Sequence, residues 1–199
     1  LSYEIGQPTH CYDFEKISAQ ITLQEASKKV DFMTVTGDKI TLEGTNTVFT
    51  VQNKIINLAG VMGGIETACS KNTKKVLIEC AYFSPDKIIG KSLKYDLNSE
   101  AAYKFERGVD PCNQEFSLRR FAKIVEDHTN IKDIKLTSFL FQDYKYRHID
   151  IDTNLISKIL GVDIDISKYS TIFEKLGFKI INNKLQIPSF RSDIVTQNI

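Results

Sequence analysis

A glutamate at the end of an apolar run is the first residue whose placement suggests chemistry. Glu79 follows Val76-Leu77-Ile78. That run reads as a strand at least half buried, where a carboxylate is costly unless a partner satisfies it. Further on, Asn98-Ser99-Glu100 leads into Ala101-Ala102, which sets a hydroxyl beside side chains small enough to leave room. Gly60-Val61-Met62-Gly63-Gly64 carries three glycines in five residues, a sign of positive backbone angles or of a group lying against bare backbone. His10 follows the turn signal Gly6-Gln7-Pro8. An acid on a buried strand, a hydroxyl, bare backbone and an imidazole can together wall a pocket for a polar ligand.

Each feature also has a plainer reading. His10 can be a structural hydrogen-bonding residue. Glu79 can be an edge acid facing water, or half of an ion pair with Arg107 or Lys104. The glycines can be a tight bend, and 98–102 a simple helix start. Arg107, followed by Gly108 and Asp110, reads as structural more than catalytic.

The elements that must position these residues follow from periodicity and punctuation. After a short helix near 13–17, alternating or apolar runs at 19–23, 30–35, 39–42, 47–51 and 54–59 are predicted strands. Gly37-Asp38 and Gly44-Thr45-Asn46 separate them. A strand is expected at 76–81 and a helix over 84–95, capped by Ser84 and opened by Pro85. The longest helix is expected over 110–126, capped by Asp110 and opened by Pro111, with Phe116, Leu118, Phe121, Ile124 and Val125 on its apolar face. Residues 132–140 return to a strand.

A boundary is expected between 142 and 149, in the polar stretch Asp143-Tyr144-Lys145-Tyr146-Arg147, dividing 1–146 from 147–199. Beyond it come a strand at 149–151 and a helix over 153–160 stopped by Gly161. A second helix over 167–176 is stopped by Gly177, and a hairpin of 178–181 and 184–187 turns at Asn182-Asn183. The fold class is α+β: a β-rich mixed domain with packed helices, then a small winged-helix-like α+β domain.

Composition bounds the function. The chain has 199 residues, 26 basic against 25 acidic side chains and a net charge of +1. That excludes a strongly basic, salt-driven nucleic-acid binder, but not a shaped pocket for the end of an RNA. From His148 onward six acids balance six bases, which argues against a DNA-binding role for the winged-helix-like module. The four cysteines and three histidines are scattered, so neither a zinc site nor a disulfide framework is expected. No apolar run reaches membrane-span length, and the first residues do not read as a signal peptide. The chain starts in strand-like sequence without a methionine and ends at Ile199 as a helix begins; the expectation is a piece of a longer chain, lacking the start of its first domain and the end of its second.

Three blocks carry a family resemblance: Gly6-Gln7-Pro8-Thr9-His10-Cys11-Tyr12-Asp13-Phe14, Gly60-Val61-Met62-Gly63-Gly64, and the stretch from Glu79 to Pro111. Together and in this order they resemble the editing domain of the beta subunit of bacterial phenylalanyl-tRNA synthetases. Pro188-Ser189-Phe190-Arg191-Ser192-Asp193-Ile194 is similar to the end of the small domain that follows it in that family, so the resemblance runs over nearly the whole chain. It implies post-transfer editing, the hydrolysis of the ester of tyrosine mischarged onto tRNA(Phe). By resemblance His10 lies near that ester and Glu79 recognises the tyrosine hydroxyl. Ser99 and Ala101 match positions with a threonine and an alanine, Ala101 giving the ring space, while Glu100 departs from the usual aspartate. Backbone N–H groups near Gly60 and Gly63 could serve the oxyanion.

The resemblance further implies a cytoplasmic enzyme, part of phenylalanine–tRNA ligase, that binds the tRNA(Phe) 3′ end and pairs with an alpha subunit as an alpha2-beta2 heterotetramer. ATP and magnesium would serve the whole enzyme, and this piece would hold no cofactor, no membrane and no DNA. The competing reading is a non-catalytic scaffold that packs within the synthetase and holds RNA. The expectation is that His10, Gly60, Gly63, Glu79, Ser99 and Ala101 line one cavity.

Overall fold

The chain enters through a one-turn helix, α1 (Ser2–Ile5), closed by Gly6 at φ 73°. Buried Gln7 then donates from Nε2 to the carbonyls of Pro8 and Ala81, at 3.0 and 2.9 Å. This amide ties the start of strand β1 (His10–Asp13) to the chain just beyond the strand that pairs with it. Asp13 closes β1 by accepting from the Glu15 amide, which opens a 3-10 turn at Phe14–Lys16. The coordinates are a computed structural model that describes residues 1–196 apart from Phe141 and Ile164.

The β-rich region follows as β2 (Ile21–Ala26), β3 (Val30–Met33), β4 (Lys39–Leu42), β5 (Asn46–Val51), β6 (Lys54–Leu58) and β7 (Met62–Gly63). Strands β2, β5, β6 and β7 form one antiparallel sheet in that order, and β3 pairs with β4. The β5–β6 turn places Gln52 and Asn53 at positive φ, as the twist of a two-residue hairpin requires. A polar stretch leads to β8 (Val76–Glu79), which returns antiparallel to β1.

The helices that close this layer differ from the sequence expectation. The helix expected over 84–95 is two single turns, α2 (Pro85–Ile88) and α3 (Lys91–Lys94), separated by Gly90 at φ 75°. Ser84 stands at the N-cap position of α2 without a capping bond to the backbone. Helix α4 (Glu100–Arg107) is capped by Ser99, which accepts from the Ala102 amide. The long helix α5 (Gln114–Glu126) starts later than Asp110, with Asn113 at its N-cap. Its expected apolar face does not seal: the one buried residue it contributes is Ser117, and Phe116 is 59% exposed. Residues 132–140, expected as a strand, form none, and Phe139 is 79% exposed. Alternation sets which side chains share a face; the ladder itself needs a neighbouring strand.

Contacts divide the chain into two units, 1–109 with 113–135, and 110–112 with 136–199. The boundary expected between 142 and 149 lies inside the second. The main core of the first unit joins Leu42, Val48 and Leu58 from the strands to Phe83, Ile88 and Phe105 from the helical side. Tyr12, Val51 and Ile56 form a smaller cluster behind β1.

The second unit runs β9 (His148–Asp150), α6 (Thr153–Leu160), α7 (Ile166–Lys175), β10 (Lys179–Ile181) and β11 (Lys184–Gln186). Its sheet order is β10–β11–β9. Asp152 and Asp165 cap the two helices, and Gly161 ends the first at φ 72°. Asn182 and Asn183 turn the hairpin at positive φ. Phe178, Leu185, Ile187 and Ile194 make its core. The whole is α+β. Among the described residues no helix is long and apolar enough to cross a membrane.

Candidate active site

The pairing of β1 with β8 builds the site. Its register sets His10 opposite Glu79 and Tyr12 opposite Leu77. Directly opposed residues of an antiparallel pair project to the same face, as do residues two apart on one strand. His10, Tyr12 and Glu79 therefore share one side of the ribbon. The rings of His10 and Tyr12 meet edge to face with centroids 4.5 Å apart, and the Tyr12 hydroxyl donates to Glu79 Oε2 at 3.2 Å.

The other wall comes from the β6–β7 pairing, which places Asn57 opposite Gly63. Asn57 Nδ2 donates to the Tyr12 hydroxyl at 2.8 Å. Gly63 lies under the His10 imidazole so closely that an added Cβ would collide with Cε1 and stand 2.5 Å from Nε2. This glycine is required by close approach. Gly60 differs: its φ is +71°, and a Cβ there would meet Ile88 and Phe83.

Burial sets the protonation of these groups. Glu79 retains some surface, yet the protein packs around it so densely that burial raises its pKa to about 7, against a smaller lowering by the Tyr12 bond. No lysine or arginine forms an ion pair with it among the described residues. The expected alternative partners are engaged elsewhere. Arg107 donates to the Tyr103 carbonyl and stacks on the Tyr103 ring, and Lys104 lies over the Tyr3 ring. Burial lowers the pKa of His10, which favours the neutral imidazole, and its Nε2 is buried with no hydrogen-bond partner. Burial raises the Tyr12 phenol and pushes the Cys11 thiol up to about 11. A neutral imidazole with an unused nitrogen beside a carboxylate with an unused oxygen can orient a water and receive a ligand hydroxyl.

Of the six residues singled out in the sequence, His10, Gly63 and Glu79 meet here. The other three attach to the neighbouring core. Ser99 caps α4, and its hydroxyl also donates to the Val61 carbonyl inside the glycine-rich segment. Ala101 packs on the main core, and Gly60 faces Ile88 and Phe83. A cleft of about 710 Å³ lies elsewhere, among Gln24, Val30, Met33, Lys54 and Glu66, and touches none of the six. Among the described residues its lining includes no buried side-chain nitrogen or oxygen without a partner, whereas the β1–β8 ribbon presents His10 Nε2, so the chemistry points to the ribbon.

Sequence reasoning passed over Tyr12, Asn57 and Gln7. Tyr12 carried a usable signal, standing two residues after His10 on what proves to be a strand. Asn57 and Gln7 carried none beyond being polar.

The family profile described as B3/4 domain matches residues 1–130. A phenylalanine–tRNA ligase beta subunit from Legionella pneumophila (strain Lens) is 30% identical over 96% of this chain and 25% of its own length. That of Methylococcus capsulatus is 28% identical over 98% of this chain and 25% of its own. The chain thus spans about a quarter of the length of the curated relatives it matches. Among solved structures, an N-terminal fragment of the phenylalanyl-tRNA synthetase beta subunit from Pyrococcus horikoshii aligns with a TM-score of 0.45 and 14% identity. The alignment covers 94% of this chain and 55% of that one.

Proposed function

This chain belongs to the B3/4 domain family, and from that premise we propose that it is the editing segment of a phenylalanyl-tRNA synthetase beta subunit. Its reaction is hydrolysis of the ester that joins tyrosine to the 3′ end of tRNA(Phe). Water adds to the ester carbonyl, the C–O bond to the terminal ribose breaks, and the proton ends on the ribose oxygen. His10 orients the water, and the backbone N–H of Gly60 or Gly63 serves the developing oxyanion, since those of Val61 and Gly64 already donate to the Leu58 and Ile56 carbonyls.

The observation that carries this reading is the His10–Glu79 pairing over Gly63. A synthetic site that selects phenylalanine rejects an added hydroxyl only weakly, by roughly a hundredfold. A second site that hydrogen-bonds the hydroxyl discriminates in the opposite sense. Phenylalanine would leave Glu79 unpaired, and such sites separate ligands by roughly ten-thousandfold or more. Ser99 and Ala101 hold the wall of the site, through the Val61 carbonyl and the main core. Aminoacylation, with ATP, magnesium and an alpha subunit in an alpha2-beta2 assembly, belongs to the whole enzyme. The second unit, read as winged-helix-like, has no DNA-binding role.

The test is deacylation of tyrosyl- and phenylalanyl-tRNA(Phe) by the full-length synthetase. Glu79→Ala should narrow the preference for the tyrosyl ester. His10→Ala should slow hydrolysis of whichever ester is bound, on the order of a hundredfold. Full discrimination by Glu79→Ala would refute the assignment.

A further inference from the structure

The hydroxyl of Tyr12 and the side chain of Asn57 form a one-way chain that ends on Glu79. Asn57 Nδ2 donates to the Tyr12 oxygen at 2.8 Å, and the Tyr12 O–H donates to Glu79 Oε2 at 3.2 Å. A phenol has a single hydrogen. With Asn57 supplying a donor to its oxygen, that hydrogen is directed to the carboxylate. Tyr12 is 1% exposed, its ring braced by His10 on one side and by the cluster with Val51 and Ile56 on the other. The donor is therefore fixed in place. Among the described residues Oε1 of Glu79 accepts no hydrogen bond.

We propose that Tyr12, held by Asn57, is a positioning residue for Glu79: it occupies Oε2, keeps the carboxylate an acceptor, and leaves Oε1 for the hydroxyl of a ligand. This deepens the editing reading above and rests on it. The logic is that of a carboxylate in a poorly solvated place. Burial favours its protonated form, which would offer a donor to a phenol that itself brings one. A fixed internal donor stabilises the ionised form and turns the remaining oxygen toward the ligand. The titratable groups around Glu79 are His10, Cys11 and Tyr12 from β1 and Cys80, the residue just after the end of β8. Burial favours the neutral form of each, so none supplies a charge that could replace the Tyr12 bond.

The test uses the full-length synthetase with Tyr12→Phe, which keeps the ring against His10 and removes the hydroxyl alone. Tyr12→Phe/Asn57→Leu is the companion that leaves no stranded amide. Titration of Glu79 is followed by infrared difference spectra of its carboxyl, with Glu79→Gln as the reference. Deacylation of both esters is measured across the same pH range. Glu79 should titrate about one pH unit higher in both variants. Preference for the tyrosyl ester should fall on the order of tenfold near neutral pH and recover as pH rises. In a Glu79→Gln background Tyr12→Phe should change the preference no further. An unmoved titration, or the same loss in the Glu79→Gln background, overturns the proposal. A moved titration in a protein that never prefers the tyrosyl ester overturns the editing reading and leaves the Tyr12–Glu79 coupling standing.

Discussion

The imidazole of His10 rests on the α-carbon of Gly63, with Nε2 2.5 Å from where a methyl group there would stand. These residues lie on strands of different sheets, β1 and β7. The contact therefore sets the spacing between the β1–β8 ribbon and the β2–β5–β6–β7 sheet at the site.

Gly63→Ala should push the His10 ring out of this position. The expected outcome is hydrolysis slowed on the order of a hundredfold, with a stability loss of about 1–3 kcal/mol from overpacking. Deacylation rates beside urea unfolding check it. An unchanged rate would mean that the imidazole position does not matter to the reaction.

Ser99 does two structural jobs, capping α4 and holding the Val61 carbonyl. Ser99→Ala should cost about 1 kcal/mol from the lost cap and should weaken editing by loosening the glycine-rich segment. Ser99→Thr keeps the hydroxyl and should retain both properties. Unfolding midpoints and deacylation rates of the two variants make the comparison; equal loss in both would contradict it.

The pKa of Glu79, raised from 4.5 to about 7 by burial, makes stability depend on pH. The folded chain holds this proton more tightly than the unfolded chain. The stabilising contribution is therefore complete below about 4.5 and is lost as pH rises through about 7, by at most about 3 kcal/mol. His10, with its pKa lowered, acts in the opposite direction, so the comparison needs Glu79→Gln to isolate the carboxyl. Urea unfolding at about pH 5 and pH 8 should show the decline in wild type and a flatter profile in Glu79→Gln. Parallel profiles would show that the carboxyl is not desolvated.

The part of the second unit from His148 onward should show no salt-steep binding to duplex DNA, since acids and bases are equal in number there. Mobility shifts at rising salt measure this. A retarded band that disappears steeply with added salt would contradict it.

What the sequence determined by itself was local. Asn182 and Asn183 announce a turn because asparagine tolerates positive φ, and they adopt it. Gly161 ends α6 for the same steric reason. The apolar run before Glu79 marked a carboxylate in a poorly solvated place, and three glycines in five residues marked backbone approached by another group. What only the tertiary structure decided was pairing. Nothing local says that His10 stands opposite Glu79, or that the Tyr12 hydroxyl finds an acid 67 positions along the chain and an amide 45 positions along. Residues 132–140 show the reverse case: their apolar side chains suit a strand, but among the described residues no neighbour supplies the ladder. The split of 84–95 at Gly90 and the late start of α5 at Gln114 also depended on packing, because short helices are held by what they pack against more than by propensity. Side-chain type and spacing named the groups able to do chemistry; strand register, set by contacts distant in sequence, decided which of them meet.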